Sequence, residues 1–446
     1  MTAPPLSTVL DRADPPPLER GGGPARDLLD TTLARLEAGG IDLAVVREAG
    51  RDGAGRLEVD LLVRPRHLGA AERALVADGF RRRPGWGRRP HRFHLRPVAG
   101  PDGRTIDWLK LDLVTDLAFG PWHELRAGLG DACLDARAGR RLHPADELAA
   151  LLLHLVLDGG GLSSARRRRL RELAHRSAAP GPVGTWAAPA GATEPSWDDL
   201  LQAVRDGDPG ALRPHAEALR ARMAEGRRVA TVARLAANRA ARHGAKVATA
   251  VAARGRTVAV IGPDGTGKST LTAGLASPAG LGPGISTHVL YGGTHPEGTR
   301  RSALPGGTTA RILGRLLATR ARVAWHRSRG HLVVLDRHPL QVRPLPGTAL
   351  DARTARRRQV LARALPTPDL VLVLDAPGAT LHARRPEHDL LRLEQDRAHH
   401  LTLAARHPRA VVVDASADAD EVRCRAVTRI WASVVPGGPG RRAEGP

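Results

Sequence analysis

Short apolar runs alternate with polar, helix-like stretches along the second half of the chain. Each run is about as long as one buried strand. Strands that are apolar on both faces and alternate with helices indicate a parallel sheet covered on both sides. The predicted strands are residues 258–261, 286–291, 332–336, 366–375 and 410–414. The sequence therefore predicts an α/β fold for residues 255–435.

The first half has a different order of elements. Leucines at helical spacing alternate with strand-like runs, which indicates a smaller α/β or α+β domain, and a helical segment follows it. The predicted helices are residues 27–35, 68–80, 144–157, 166–175 and 197–223, and the predicted strands are residues 41–46, 57–63 and 105–114.

Composition limits the partners of the chain. It has 446 residues and a formal net charge of +22 at pH 7, but its arginines are spread along the whole sequence. A nucleic-acid interface concentrates basic residues on one face, so we do not expect nucleic acid as the partner. The two cysteines lie far apart, and no segment reaches the roughly 20 apolar residues that span a bilayer. We therefore predict a cytoplasmic protein that does not act in a membrane.

A phosphate-binding signature follows the first strand of the second half. Eight residues from Gly262 fit the P-loop pattern G-x-x-x-x-G-K-[ST], and a predicted helix follows them. Gly262, Gly265 and Gly267 allow backbone angles that turn successive N–H groups towards a phosphate. Lys268 is placed to reach the β- and γ-phosphates, and the Ser269 hydroxyl to ligate Mg²⁺. The motif predicts a nucleoside triphosphate, with ATP and Mg²⁺ as the expected cofactors.

Charged residues also lie at the ends of one predicted strand and one predicted helix. Asp336 ends a predicted strand at the carboxyl edge of the sheet, where open α/β sheets bind ligands. Arg337 comes next and offers a planar fork for a second phosphate. A helix predicted at residues 378–385 carries Arg384 and Arg385 towards the region where a lid would close.

Three carboxylates in the first half lie on predicted strands. Glu58 and Asp60 share one face of a strand and Asp112 lies on another, a set that could hold a metal ion for nucleotidyl transfer. Residues 27–130 resemble the nucleotidyltransferase-like domains found in front of some bacterial kinases. Those enzymes carry a Gly-Ser pair before the first carboxylate, where this chain has Val-Arg-Glu at residues 46–48. We therefore expect this domain to be inactive.

The second half resembles the thymidylate kinases over about residues 254–435. The resemblance is carried by the loop GPDGTGKST, by the Asp-Arg-His triplet at residues 336–338, and by residues 368–385 followed by Glu387 and Arg397. The chain is thereby divided into a disordered tail (1–26), a nucleotidyltransferase-like domain (27–143), a helical segment (144–226), a linker helix (227–254), a thymidylate kinase-like P-loop domain (255–435) and a second disordered tail (436–446).

The resemblance implies roles on the donor side. The donor phosphates of ATP would lie in the loop formed by Gly262, Asp264, Gly265, Thr266, Gly267, Lys268, Ser269 and Thr270. Lys268 would contact the transferred group, and Ser269 and Asp336 would hold Mg²⁺. Asp264 resembles the acidic residue that faces the sugar of the acceptor.

The acceptor side is less defined. The resemblance implies that Arg337 holds an acceptor phosphate and that Arg384 or Arg385 adds positive charge as the lid closes. The implied acceptor is a small phosphorylated molecule, in the first place a nucleoside monophosphate such as dTMP. Of the longer motif that thymidylate kinases have after the second strand, this chain has only Gly-Gly-Thr at residues 292–294, with Tyr291 before it. There are therefore two alternatives: a kinase for another small molecule, and a non-catalytic regulatory protein that binds nucleotides. The chain could also form a homodimer.

Overall fold

The computed structural model describes residues 23–51, 56–82, 91–158, 164–177, 179–189, 195–252, 255–277, 280–282, 285–294, 307–345 and 350–435. These residues form two units. The first consists of the described residues up to Leu95 and of 109–243, and the second of 96–108 and the described residues from Gly244 onwards. Gly23 caps the first helix and residues 24–26 belong to it, whereas the rest of the two predicted tails lies outside the described residues.

The part of the chain before the linker helix contains both helices and strands. They are α1 (Pro24–Ala38), β1 (Leu43–Arg51), β2 (Leu57–Val63), α2 (Leu68–Ala77), β3 (Arg81–Arg82), β4 (Arg92–Ala99), β5 (Ile106–Val114), β6 (Ala118–Phe119), β7 (Leu125–Arg126), α3 (Gly130–Asp135), α4 (Pro144–Leu157), α5 (Ser164–Arg176), α6 (Pro182–Ala187), α7 (Trp197–Arg205) and α8 (Ala216–Met223), followed by the linker helix α9 (Arg228–Ala252). Five strands form one sheet in the order β1-β2-β5-β4-β3. Strands β2 and β5 are parallel, with Asp60 opposite Asp112.

Alternation along the strands divides the core of the first unit in two. Leu61 and Leu111 pack with leucines of α1 and α2 on one face of the sheet. Leu62 and Val114 point to the opposite face and pack with α4, α5 and α7. The predicted helical segment therefore shares a core with the sheet.

The elements of the second unit alternate between strand and helix. They are β8 (Thr257–Ile261), α10 (Lys268–Ala276), β9 (Thr287–Tyr291), α11 (Gly307–Ser328), β10 (Leu332–Asp336), α12 (Ala352–Ala362), β11 (Leu370–Asp375), α13 (Gly378–Arg384), α14 (Leu390–Arg406), β12 (Ala410–Asp414) and α15 (Ala419–Ser433). Among all helices of the described residues, none has the length and apolar character needed to cross a membrane.

These five strands form a parallel sheet in the order β12-β11-β8-β10-β9. Ala259 and Ile261 of the central strand face a core that contains leucines of α11, α12 and α14. Helices α10 and α15 pack on each other and on the strands, and so cover the other face. The predicted parallel α/β fold is confirmed. Because β8 is central, the loop that follows it lies at the middle of the carboxyl edge.

Some element boundaries differ from the sequence prediction. The helix predicted at 197–223 is interrupted by a 3-10 helix, Pro209–His215, because two prolines cannot supply helical N–H donors. The pair β3 and β4 and the helices α12 and α14 were not predicted. Arginine-rich segments such as β4 and α12 show little apolar periodicity, and their conformation depends on tertiary pairing.

Candidate functional site

The phosphate loop begins where the central strand β8 ends. Gly262, Gly265 and Gly267 have φ angles of 149°, 87° and 81°, a region that residues with side chains rarely adopt. A Cβ atom at Gly262 would lie 2.5 Å from the carbonyl oxygen of Leu374, so a larger residue would displace the neighbouring strand. The loop leads directly into α10, which begins at Lys268. Its backbone thus has the shape that a P-loop requires.

The ammonium group of Lys268 folds back onto this loop. Its Nζ donates to the carbonyl oxygens of Gly262 at 3.0 Å and Pro263 at 2.7 Å, and lies 3.4 Å from Asp264 Oδ1. The side chain is buried. Burial, together with the nearby charge of Arg337, lowers the pKa of Lys268 to about 8. A buried cation in this state is stabilised by an anion bound at the loop.

Asp336 and Ser269 meet at the carboxyl edge of the sheet. Ser269 Oγ donates to Asp336 Oδ2 at 3.0 Å. The other carboxylate oxygen, Asp336 Oδ1, is buried and has no hydrogen-bond partner among the described residues. A carboxylate oxygen next to a hydroxyl is the kind of oxygen ligand set that Mg²⁺ uses beside phosphates. These two residues therefore fit a magnesium ion and would hold it.

Arg337 connects the end of β10 to the phosphate loop. Its Nη2 donates to Asp264 Oδ1 at 2.9 Å. Burial alone would raise the pKa of Asp264, but the charges of Lys268 and Arg337 outweigh this effect and lower it. Asp264 is thus a charged bridge between the two cations. Arg337 also has a φ of 69°, an unusual value for a residue with a long side chain, and such strain occurs at functional sites.

A cavity of ≈ 530 Å³ opens beside the loop. This volume is in the range of small-molecule pockets. The sequence-predicted residues that line it are Asp264, Gly265, Thr266, Gly267, Lys268, Ser269, Thr270, Arg337, Arg384 and Arg385. His388 and residues of the connection from β12 to α15, such as Ala417 and Asp418, complete the wall. Gly262 and Asp336 do not line the cavity themselves. Gly262 accepts a hydrogen bond from the lining residue Lys268, and Asp336 accepts one from the lining residue Ser269.

The two arginines at the end of α13 have different environments. Arg384 donates from Nη1 to the carbonyl oxygen of Ala415 at 2.8 Å and from Nη2 to that of Ser416 at 3.0 Å. Arg385 is exposed and forms an ion pair with Glu387 at 3.2 Å. Arg384 therefore links α13 to the opposite wall of the cavity, whereas the ion pair of Arg385 is exposed to solvent and fixes its side chain only weakly.

Two residues that carried the family resemblance contact the sheet. Arg397 donates to both carboxylate oxygens of Asp375, at 2.8 Å and 3.1 Å. His338 is fully buried, and burial lowers its pKa to about 4, so the ring is neutral. Its Nδ1 accepts from the backbone N–H of Leu340 at 3.0 Å. Both residues hold the carboxyl edge in place and do not line the cavity.

Sequence reasoning did not single out Arg315 of α11. Its guanidinium lies over the ring of Tyr291, 5.4 Å from the centroid, and donates to the carbonyl oxygen of Gly293. Arg315 Nε is buried and has no hydrogen-bond partner among the described residues. Tyr291 and Asp336 are opposite each other in the sheet, so Arg315 and Arg337 approach the same edge. Helical periodicity predicts only that Arg315 lies on a long basic helix. It does not predict that the side chain contacts Tyr291 and Gly293.

Each of the three carboxylates of the first unit is paired with a basic side chain. Lys110 Nζ lies 2.6 Å from Glu58 Oε1. Arg47 Nε donates to Asp60 Oδ2 at 2.9 Å, and His91 Nδ1 pairs with Asp112 Oδ2. Arg47 belongs to the Val-Arg-Glu segment that replaces the expected Gly-Ser pair.

The space beside Asp60 is small. The cavity that Arg47, Asp60 and His91 line has a volume of only ≈ 80 Å³. Burial is the main reason why the pKa of Asp60 is raised, with a contribution from Asp112, although Arg47 acts in the opposite direction. The site is thus small and already neutralised, and both features oppose the binding of a nucleotide with its metal ion.

Comparison with solved structures aligns the chain with a thymidylate kinase from Candida albicans. The alignment covers 40% of this chain and 91% of that chain, with 18% sequence identity and a TM-score of 0.28. No family model matches the chain, and no curated protein matches it by sequence. The chain is a mixed α/β protein, and its five-stranded parallel sheet flanked by helices is consistent with the fold of P-loop kinases.

Proposed function

We propose that this protein is an ATP- and Mg²⁺-dependent phosphotransferase of the thymidylate kinase type. The acceptor is a nucleoside monophosphate such as dTMP, or a related small phosphorylated molecule. The observation that carries the proposal is the assembly of Lys268, Ser269, Asp336 and Arg337 around one end of a cavity of ≈ 530 Å³. A protein that only binds ATP has no need for a second phosphate-binding cation beyond the loop.

The donor half of the proposal rests on the loop. Its three glycines and the start of α10 direct backbone N–H groups at a phosphate, and Lys268 adds a compact positive charge. Lys268 would exchange its carbonyl and Asp264 contacts for phosphate oxygens of ATP. Magnesium held by Ser269 and Asp336 would neutralise charge on the donor phosphates.

The acceptor half rests on Arg337. It lies one residue after the proposed magnesium ligand, and its guanidinium already binds a carboxylate, that of Asp264. This contact is a single hydrogen bond, and the planar guanidinium has further N–H groups with which it would bind a phosphate in a two-pronged manner. Phosphoryl transfer needs mainly alignment and charge neutralisation, and these residues supply both.

The test is ADP formation from ATP and Mg²⁺ with a panel of nucleoside monophosphates, starting with dTMP. The matched nucleosides, which lack the phosphate, serve as controls. We expect ADP formation that depends on at least one phosphorylated acceptor and not on its nucleoside. ATP binding without turnover on any acceptor would favour the regulatory alternative, and turnover on the nucleosides alone would favour a hydroxyl acceptor.

A further inference from the structure

Three histidines lie together at the amino edge of the parallel sheet. His288 is the second residue of β9, His326 lies in the last turn of α11, and His331 directly precedes β10. Tyr291, at the opposite end of β9, is three residues from His288, which is about 10 Å along a strand. The cluster is therefore separate from the phosphate loop and from the proposed reaction.

The geometry of the three rings brings their nitrogens together. His326 Nδ1 and His331 Nδ1 are 3.1 Å apart. One ligand nitrogen from each of the three rings lies within 4.8 Å of the others. A tetrahedral ion with histidine ligands at about 2.0–2.1 Å holds their nitrogens about 3.3 Å apart. The first pair already has this spacing. The ring of His288 is stacked on the other two, with centroids 4.0 Å and 4.6 Å away, and it would turn about its side-chain bonds to direct a nitrogen at the same ion.

The backbone fixes the positions of these residues. The N–H of His331 donates to the carbonyl oxygen of His326 at 3.1 Å, across a turn in which Gly330 has a φ of 76°. His288 is paired with Val333 in the adjacent strand. Each histidine is thus attached to a regular element, so the spacing of the cluster does not depend on a loose loop.

The charges nearby favour a neutral set of ligands. Burial and the neighbouring His288 ring lower the pKa of His326 and of His331. Neutral imidazole is the form that binds a metal ion. Arg329 also contributes to this lowering of the pKa values, and its guanidinium is stacked on the ring of Trp325, 4.0 Å from the centroid.

We propose that His288, His326 and His331 form a binding site for a transition-metal ion of the zinc class. Imidazole ligands select Zn²⁺, Co²⁺, Ni²⁺ or Cu²⁺ over Mg²⁺ and Ca²⁺. The rings are half-buried, so water can take the fourth position. Because the ligands come from β9, α11 and the start of β10, the ion would connect three elements and stabilise this end of the sheet. Within the described residues no other group of histidine, cysteine or carboxylate side chains has such spacing.

The experiment is a Co²⁺ titration of the full chain in excess Mg²⁺, which occupies sites made of oxygen ligands. Visible absorption reports tetrahedral nitrogen coordination, and Zn²⁺ displaces the Co²⁺ in a second titration. We expect one equivalent per chain with a tetrahedral spectrum. His288→Phe keeps an aromatic ring in the stack but removes the ligand, and should weaken binding by about 100-fold or more. His326→Asn and His331→Asn should do the same.

The control is His175→Gln, because His175 also lies in the last turn of a helix but is exposed and outside the cluster. It should bind Co²⁺ like the unchanged chain. Zn²⁺ should also raise the thermal midpoint of the unchanged chain and of this control, but not that of His288→Phe. Circular dichroism identifies any variant that fails to fold, and the remaining ligand variants then decide. The proposal is overturned if the unchanged chain binds no Co²⁺, if the spectrum is octahedral, or if binding persists in the folded ligand variants.

Discussion

Asp60 of the first sheet and Asp336 of the parallel sheet are similar in chemistry and differ in setting. Each lies on a strand next to the central part of its sheet, and each has one oxygen that is buried and without a hydrogen-bond partner among the described residues. The second oxygen of Asp60 is paired with the guanidinium of Arg47, whereas that of Asp336 accepts from the Ser269 hydroxyl. The difference between a cationic and a neutral partner decides what each carboxylate can still bind.

A carboxylate that is already neutralised gains little from a divalent cation. At Asp60 the ion would have to compete with Arg47 in a cavity of ≈ 80 Å³, and no phosphate would fit beside it. At Asp336 the neighbouring group is neutral, and the lining of the adjacent cavity of ≈ 530 Å³ is rich in arginine and in loop N–H groups. The Asp60 site is thus the closed site, because its carboxylate already has a cationic partner. The Asp336 site is the open site, because its carboxylate can still bind a cation beside the larger cavity.

The largest effect is expected at Arg337, which belongs to the open site. Removal of its guanidinium in Arg337→Ala should lower turnover by about two to four powers of ten, because the charge that holds the acceptor phosphate is lost. ATP affinity should remain nearly unchanged. Steady-state rates with an active acceptor and calorimetric titration with ATP measure the two quantities. Arg337→Lys should restore activity only in part, since an ammonium cannot form the two-pronged contact.

Asp264 supplies the control for this variant. Without Arg337 the Asp264 carboxylate is left with Lys268, and a tighter pair could compete with the phosphates of ATP. The double variant Asp264→Asn with Arg337→Ala removes this competition. Wild-type turnover in Arg337→Ala would contradict the acceptor assignment. A loss of ATP affinity that persists in the double variant would place Arg337 on the donor side.

Lys268 is expected to give the next largest effect, on binding and not only on turnover. Lys268→Met keeps much of the buried side-chain volume but removes the charge, and should weaken ATP binding about 10- to 100-fold, the value of a charge-assisted hydrogen bond. In the unchanged chain the affinity should fall as the pH rises above about 8, because Lys268 loses its proton there. Calorimetric titration across this range should show the dependence, and Lys268→Met should lack it. Equal affinity in both proteins would contradict the loop assignment.

Local sequence patterns predicted more of the parallel sheet than of the sites. The five apolar strands and the loop from Gly262 to Ser269 are encoded by neighbouring residues, so periodicity and one motif were enough. Residue types at strand ends placed Asp336 and Arg337 correctly at the carboxyl edge. The roles given to these residues stay predictions until the variants are measured.

Partners that are distant in sequence could not be predicted in this way. The pairs Asp264–Arg337 and Ser269–Asp336 join segments more than sixty residues apart. Arg315 reaches Gly293 only because α11 packs on the edge strand. Hydrogen bonds between Arg384 and the carbonyl oxygens after β12 likewise depend on how α13 is placed. Such contacts follow from tertiary packing, which a single sequence does not encode locally.

The smallest effect is expected at Asp60, and it tests the closed site. We predict that the unchanged chain releases no pyrophosphate from nucleoside triphosphates beyond the background, and that Asp60→Asn does not change this result.

The raised pKa of Asp60 means that folding shifts its carboxyl towards the neutral form. Below that pKa the carboxyl is neutral, so the isosteric asparagine should alter the free energy of unfolding there by no more than about 1 kcal/mol. A raised folded-state pKa also means that the unchanged chain gains stability as the pH falls through that pKa and loses it as the pH rises, and the variant should lack this dependence. Denaturant unfolding at several pH values measures it, with Asp336→Asn as the matched change in the other sheet. Pyrophosphate release that disappears in Asp60→Asn would show that the first sheet carries an active site after all, and the contrast between the two carboxylates would fail.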